Sequence, residues 1–140
     1  MKKLTSRFGE IEYDPQNSIH FPDGLIGFET LHDFIVIPNR KEGPLFWIQS
    51  IDDPEVAFIV TDPSNFFLEY KVLPDKNEIG KLDIQSPEDC YALSIVTVSS
   101  AKEITLNLVA PVLFSPTSNR AVQVILEDTN YEVKTPLPNS

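Results

Sequence analysis

Few residues in this chain could carry out chemistry. It contains one cysteine, Cys90, and two histidines, His20 and His32. A structural zinc site usually takes four Cys or His ligands at characteristic spacings, which this set cannot supply. A nucleophilic cysteine needs a base and an orienting group, and the sequence around Cys90 indicates neither. We therefore expect Cys90 to be a small core residue and the histidines to be surface or hydrogen-bonded residues.

Carboxylates are plentiful, including the adjacent pair Asp52 and Asp53 and the later Asp62. A glycosidase pair must face each other across a cleft, which adjacency in sequence does not provide. The string Asp52-Asp53-Pro54 is typical of a turn, and no calcium-loop spacing is present. The sequence also lacks a nucleophile-elbow serine, a phosphate-binding loop and a dinucleotide fingerprint. We expect no catalytic residue, metal or cofactor. A β-barrel hydrolase or carbohydrate-binding module using these three aspartates remains an alternative.

The charge balance limits the kinds of partner that the protein is expected to bind. The 140 residues include 11 Lys and Arg against 21 Asp and Glu, a net charge of −10. Such a field repels phosphate groups, so direct nucleic-acid binding and an anionic membrane surface are both disfavoured, and a basic protein partner fits better. The N-terminal residues contain no signal-peptide core, and no run approaches the roughly twenty apolar residues of a membrane span. We therefore expect a cytoplasmic protein.

The elements that must position these residues are short strands. Twelve prolines are spread along the chain and leave little room for long helices. Between them lie segments rich in β-branched and aromatic residues, which predict an all-β, small single-domain β-barrel-like fold with a few short helical turns. The predicted strands are 19–21, 34–37, 45–48, 56–60, 91–98, 105–108, 112–114 and 122–126.

Helix signals are brief. Asp62 and Ser86 each precede a proline and read as N-caps of short helical turns, and residues 74–82 could hold a short helix. We assign one domain to residues 1–134 and a flexible C-terminal tail to residues 135–140.

The candidate contact residues are aromatic and acidic. Phe66 and Tyr70 are four apart and could share one face of a short helix. Phe46 and Trp47, on a predicted strand, point one ring to each face. Acidic residues on the predicted turns could meet a basic partner. The candidate partner-binding residues are Phe46, Trp47, Asp52, Asp53, Glu55, Asp62, Phe66 and Glu69.

Several ordered blocks resemble one family. Residues 19–29 contain Phe-Pro-Asp-Gly-Leu-Ile-Gly-Phe, similar to the N-terminal signature of the flagellar assembly factor FliW. Residues 44–63 resemble its Leu-Gln-Ser and Ala-Phe-x-x-x-Asp-Pro blocks. Residues 107–112 resemble its Asn-Leu-x-Ala-Pro-Ile block, and residues 123–126 its last strand. Two departures follow: Leu113-Phe114-Ser115 stands where the family usually has Val-Ile-Asn, and Arg120-Ala121-Val122-Gln123 replaces Arg-x-Gly-x-Gln.

The resemblance implies a bacterial cytoplasmic regulator with a small β-barrel-like domain and no enzymatic activity. FliW-like proteins bind the translational repressor CsrA and relieve its repression of flagellin mRNA. They also bind flagellin, which couples flagellin synthesis to flagellum assembly. An alternative is that the protein acts mainly as a flagellin chaperone, in which case Phe46, Trp47 and Phe66 would matter more than the acidic residues.

Overall fold

The computed structural model describes residues 1–38, 44–127 and 129–138. These residues form eleven strands, one α-helix and three single-turn 3-10 helices. The strands are β1 (Lys2–Thr5), β2 (Gly9–Glu12), β3 (Ile19–His20), β4 (Asp33–Pro38), β5 (Leu45–Ser50), β6 (Ala57–Thr61), β7 (Tyr91–Val98), β8 (Ile104–Leu106), β9 (Val112–Ser115), β10 (Arg120–Gln123) and β11 (Thr135–Pro136). The α-helix is α1 (Lys76–Leu82), and the 3-10 helices are Pro15–Asn17, Pro63–Asn65 and Pro87–Asp89.

Seven strands close into a barrel in the order β7-β6-β5-β4-β3-β10-β9 and back to β7. The first half of β7 pairs with β9 and its second half with β8, which an eight-residue strand is long enough to do. Every neighbouring pair around the barrel is antiparallel except β10 and β3, which run parallel and meet through Arg120 and His20. The all-β, barrel-like prediction is confirmed.

The barrel interior is filled by apolar side chains from nearly every strand. Its largest buried cluster consists of Ile19, Phe21, Leu25, Phe34, Ile48, Val60, Leu93, Val112 and Ala121. Phe21 and Phe34 meet edge to face with ring centroids 5.2 Å apart, a geometry that aromatic rings prefer. Each large apolar side chain buried in this way contributes roughly 1.5–3 kcal/mol relative to its exposed state.

Helix α1 begins at a capping box and packs against β10. The Asp75 carboxylate accepts the Glu78 amide at 2.9 Å, and the Glu78 carboxylate accepts the Asp75 amide at 3.1 Å. These two bonds satisfy backbone donors that the first helical turn leaves free. Leu82 then buries its side chain with Leu113 and Val122. The helix predicted within residues 74–82 is therefore confirmed, as are the N-caps at Asp62 and Ser86.

Most predicted strand bounds differ from the observed ones by one or two residues, and two larger differences follow. The last barrel strand ends at Gln123, not at residue 126, because Gln123 pairs with Val112 and the next residue on that side is Pro111, which has no amide to donate. The 3-10 helix after Asp62 ends at Asn65, so Phe66 and Tyr70 do not share a helix. They nevertheless pack into the same apolar cluster, around Leu106 and Leu108.

Both chain ends contain strands that the sequence did not predict. At the N-terminus β1 and β2 form an antiparallel hairpin. Near the C-terminus Thr135 and Pro136 pair with Leu106 and Thr105 of β8. The flexible tail expected over 135–140 is therefore wrong at its first two residues, and residues 139–140 lie outside the described residues. Within the described residues, no helix has the length and apolar character that a membrane crossing requires.

Candidate functional site

Three of the predicted contact residues lie together on the turn between β5 and β6. The amides of Asp52 and Asp53 donate to the buried Ser50 hydroxyl oxygen at 3.1 and 3.0 Å, and the Glu55 amide donates to the Asp53 carboxylate at 3.0 Å. The buried Gln49 side-chain amide donates to the Val56 carbonyl at 3.1 Å. These bonds fix the turn, as the sequence predicts for Asp and Pro at these positions, and leave Asp52 and Glu55 exposed to solvent.

Asp62 lies at the opposite end of β6. It caps the following 3-10 helix, accepting the Ser64 amide at 2.9 Å. The five residues of β6 span roughly 17 Å at about 3.4 Å per residue, so Asp62 does not converge with Asp52 and Asp53. The catalytic cleft required by the hydrolase alternative is therefore not formed by these three carboxylates.

Phe46 and Trp47 point to opposite faces of β5, as predicted. Phe46 packs against the barrel core. Trp47 lies outside, where Phe8 covers it edge to face at 5.6 Å between ring centroids and the Arg7 guanidinium lies 4.5 Å from the centroid of the Trp47 ring. The N-terminal hairpin, which the sequence did not predict, therefore covers much of the ring that we expected to be available to a partner.

Asp62 also lines a groove between the loop that follows β6 and the segment that leads into β7. We call this the acidic groove, and its volume is about 330 Å³. Phe66 and Glu69 belong to the same loop. Phe66 packs against the apolar cluster that contains Tyr70, Leu106 and Leu108, and Glu69 is exposed. The groove is lined by Asp62, Pro63, Ser64, Tyr70, Lys71, Val72, Leu73, Pro87, Glu88, Cys90, Tyr91 and Ala92.

The electrostatics of the acidic groove favour a negative surface. A hydrogen bond from the Ser86 hydroxyl lowers the pKa of Glu88, so its carboxylate stays ionised at neutral pH. Burial, and then the charge of Asp62, raise the pKa of Tyr91, which keeps the phenol neutral. Lys71 is the single basic residue among the lining residues. The groove can therefore offer two carboxylates and aromatic surface to a cationic, partly apolar partner.

The cysteine and histidines are engaged in ordinary contacts. The Cys90 thiol donates to the Pro87 carbonyl at 3.6 Å, and burial raises its pKa. His20 contacts the Asp33 carboxylate at 2.9 Å, and His32 contacts the Phe21 carbonyl at 2.8 Å. In the part of the chain that the structure describes, no three His, Cys, Asp or Glu side chains come together as metal ligands could.

The structure contains a second groove that the sequence did not indicate. We call it the apolar groove; its volume is about 390 Å³, and three exposed aliphatic residues, Ile26, Ile125 and Val133, stand at it. The lining residues are Leu25, Ile26, Phe58, Ile95, Asn107, Val109, Ala110, Gln123, Ile125 and Val133. Because they come from six separate stretches of sequence, no local pattern could have indicated the groove.

The loop at one end of the apolar groove is held by glycines and by Gln123. Gly24 has φ of +68° and Gly27 has φ of +86°, values that L residues with side chains rarely adopt. Between them the Ile26 amide donates to Gln123 Oε1 at 2.8 Å, and Gln123 Nε2 donates to the Ala110 carbonyl at 3.0 Å. Gln123 therefore fixes Ile26 at the groove.

The fold and these surfaces define a small β-barrel protein with two grooves suited to binding. A family model described as FliW protein matches residues 2–137. The flagellar assembly factor FliW of Syntrophotalea carbinolica is 59% identical over 137 residues, covering 98% of both chains. The flagellar assembly factor FliW 2 of Desulfotalea psychrophila is 55% identical over 138 residues, covering 99% of this chain and 91% of the relative.

The fold of the chain also matches that of a FliW protein. A crystal structure of the flagellar assembly factor FliW matches with a TM-score of 0.88 and 29% sequence identity, covering 99% of each chain. The chain belongs to the FliW family, whose members in these comparisons are flagellar assembly factors. The family resemblance stated from the sequence is confirmed.

Proposed function

We propose that this protein is a cytoplasmic, non-enzymatic regulator that binds a CsrA-type translational repressor and relieves its repression of flagellin mRNA. It also binds flagellin, so that flagellin synthesis follows flagellum assembly. The observation that carries the proposal is membership of the FliW family over residues 2–137. The net charge of −10 supports it, because a repressor that binds RNA must present basic surface, and an acidic protein is its electrostatic complement.

The acidic groove is the surface that we assign to the repressor. Asp62 and Glu88 line it, and Glu69 lies exposed in the same loop. Tyr91 adds an exposed ring beside these carboxylates. Binding sites of this composition suit Lys and Arg side chains, whose charge meets the carboxylates and whose stems pack on aromatic rings.

The test compares two matched double variants. Asp62→Asn with Glu69→Gln removes two charges beside the acidic groove, and Asn remains a good N-cap. Asp52→Asn with Asp53→Asn removes two charges from the β5–β6 turn. Calorimetry with the CsrA-type repressor should show that the groove variant binds at least five-fold more weakly and with less salt dependence, because fewer charges attract the partner. The turn variant should bind within two-fold of wild type.

A functional readout completes the test. Wild-type protein added to the repressor should weaken its binding to flagellin leader RNA, and the groove variant should do so less. If wild-type protein binds the repressor without changing its affinity for RNA, the proposed antagonism is wrong. If both double variants lose binding equally, net charge alone acts, and the assignment to the acidic groove is wrong.

A further inference from the structure

The apolar groove presents an unusual amount of exposed aliphatic surface. Ile125 is 64% exposed and Val133 is 59% exposed, and both line the same groove as Ile26. The partly buried rings and branched side chains of Phe58, Ile95 and Val109 form the rest of its surface. Contiguous apolar surface on a protein marks a binding site more often than isolated exposed residues do.

Backbone hydrogen bonding at the groove favours docking through side chains. The amides of Val124 and Leu126 donate to the carbonyls of Pro111 and Val109 at 3.0 and 2.7 Å, and the Ile26 amide donates to Gln123. These three donors are therefore occupied. The exposed aliphatic side chains of the groove suit apolar side chains of a partner, such as those on one face of an amphipathic helix.

An acidic cleft adjoins the apolar groove. This cleft, which we call the α1 cleft, shares Gln123 and Ile125 with the groove. It is lined by three carboxylates, those of Asp23, Asp75 and Glu78, and by one ammonium, that of Lys81. The Lys81 ammonium lies 2.7 Å from the Asp23 carboxylate. With three carboxylates against this one ammonium, the α1 cleft is acidic on balance.

We propose that the apolar groove and the α1 cleft together bind one amphipathic helix of a partner protein. Apolar residues spaced at i, i+3 and i+4 would enter beside Ile26, Ile125 and Val133. Lysine or arginine residues along one edge of the helix would lie over Asp75 and Glu78, because opposite charges set the orientation of such a complex. The inference rests on the proposed function, which supplies two protein partners, and assigns one of them a surface separate from the acidic groove.

Three matched variants test the groove. Ile125→Asp and Val133→Asp each place a carboxylate in the apolar groove, and Leu68→Asp adds the same charge at a residue that is 90% exposed and lines neither the groove nor the cleft. Calorimetry should measure the binding of purified flagellin and of the CsrA-type repressor to each. We expect both variants of the apolar groove to bind one of these two proteins at least ten-fold more weakly than wild type does. Leu68→Asp should change the affinity for that protein less than two-fold.

Glu78→Gln tests the contribution of the carboxylates in the α1 cleft. Glutamine keeps the capping box but removes one carboxylate from the α1 cleft. The affinity of the same partner should fall several-fold, with a smaller dependence on salt. Circular dichroism and thermal unfolding should match wild type for all four variants, since the mutated side chains at Ile125, Val133 and Leu68 are exposed and the helix start is retained in Glu78→Gln.

The outcomes separate the two proposals. If wild-type protein binds its partners and the groove variants bind both as tightly, the groove inference is wrong and the proposed function stands. If wild-type protein is a dimer by light scattering and Ile125→Asp is a monomer, the occupant is a second copy of this chain and the inference is wrong. If wild-type protein binds neither flagellin nor the repressor, the proposed function is wrong and this inference falls with it.

Discussion

The Tyr70 hydroxyl donates a hydrogen bond of 2.8 Å to the carbonyl oxygen of Leu108, a residue 38 positions further along the chain. Both residues belong to the apolar cluster beside β7 and β8. Burial, followed by the neighbouring Tyr131, raises the pKa of Tyr70 well above its usual value near 10. The phenol therefore keeps its proton, and this bond ties the loop after β6 to the barrel throughout the neutral pH range.

Removal of this hydroxyl should destabilise the fold. Tyr70→Phe keeps the ring but leaves the Leu108 carbonyl without its partner, and we expect the free energy of unfolding to fall by about 1–3 kcal/mol. Urea denaturation followed by circular dichroism measures the change. Tyr91→Phe is the matched control: Tyr91 is 44% exposed and its ring keeps the edge contact with Phe114, so the change should be below about 0.5 kcal/mol. Equal losses in the two variants would contradict the assigned role of Tyr70.

Alanine substitutions at two glycines should have opposite effects. A Cβ on Gly24 would lie 2.6 Å from the Phe28 carbonyl oxygen, and φ at Gly24 is +68°. Gly24→Ala should therefore cost about 2 kcal/mol or more, since the left-handed conformation alone costs roughly 1–2 kcal/mol. Gly80 lies in α1 with open space at its Cβ position, so Gly80→Ala should stabilise the protein by about 0.5–1 kcal/mol. Thermal unfolding of both variants checks the signs; a loss at Gly80 would contradict the open surface described there.

Trp47 is the only tryptophan in the sequence, so its fluorescence reports on the N-terminal hairpin. Phe8→Ala should expose the indole ring, and the emission maximum should shift to longer wavelength. Phe28→Ala serves as the control, because Phe28 contacts Phe58 and not Trp47, and its emission should match wild type. An unchanged spectrum for Phe8→Ala would mean that the hairpin does not cover Trp47 in solution.

Cys90 should react more slowly with alkylating reagents in the folded protein than in the unfolded protein. Burial is the main cause that raises the pKa of its thiol, and the thiolate is the reactive form. Iodoacetamide at pH 8 should modify folded protein more slowly than protein unfolded in urea. Because the folded pKa is the higher one, the stability that this thiol contributes is complete below the unfolded pKa near 8.5 and declines as the pH rises above it. Equal alkylation rates would contradict the burial described for Cys90.

The fold was predictable where local pattern and packing agree. Residues 91–98 form β7 with the predicted bounds, because β-branched residues occupy half of the run, including its last four positions. Asp75, Asp62 and Ser86 start their helices through side-chain bonds to the backbone, which depend on adjacent residues alone.

The N-terminal hairpin was not predictable in the same way. Lys2–Thr5 and Gly9–Glu12 are largely polar or charged, so the usual alternation of apolar and polar residues is weak. Two tertiary features support the hairpin: the Ser6 amide donates to the Pro54 carbonyl at 2.9 Å, and Phe8 packs on Trp47. The two contacts join residues 48 and 39 positions apart.

The candidate site was predictable only in part. The acidic turn at Asp52 and Asp53 follows from turn chemistry, and its place at one end of β6 follows from the strand assignment. That Asp62 lies in a groove with Glu88 depends on the pairing of β6 with β7. The apolar groove depends on even more distant pairings, because Ile26 and Val133 come from opposite ends of the sequence.

The contact between β3 and β10 limits when the protein can complete its folding. The barrel closes where Arg120 pairs with His20, and these residues are one hundred positions apart. During synthesis a ribosome must release residues 120–123 before the N-terminal strands have their final neighbour, and contacts of such long range form slowly. The acidic groove and the apolar groove both include residues after 85, so a nascent chain acquires them late. Partner binding should therefore report on finished molecules and not on partly translated ones.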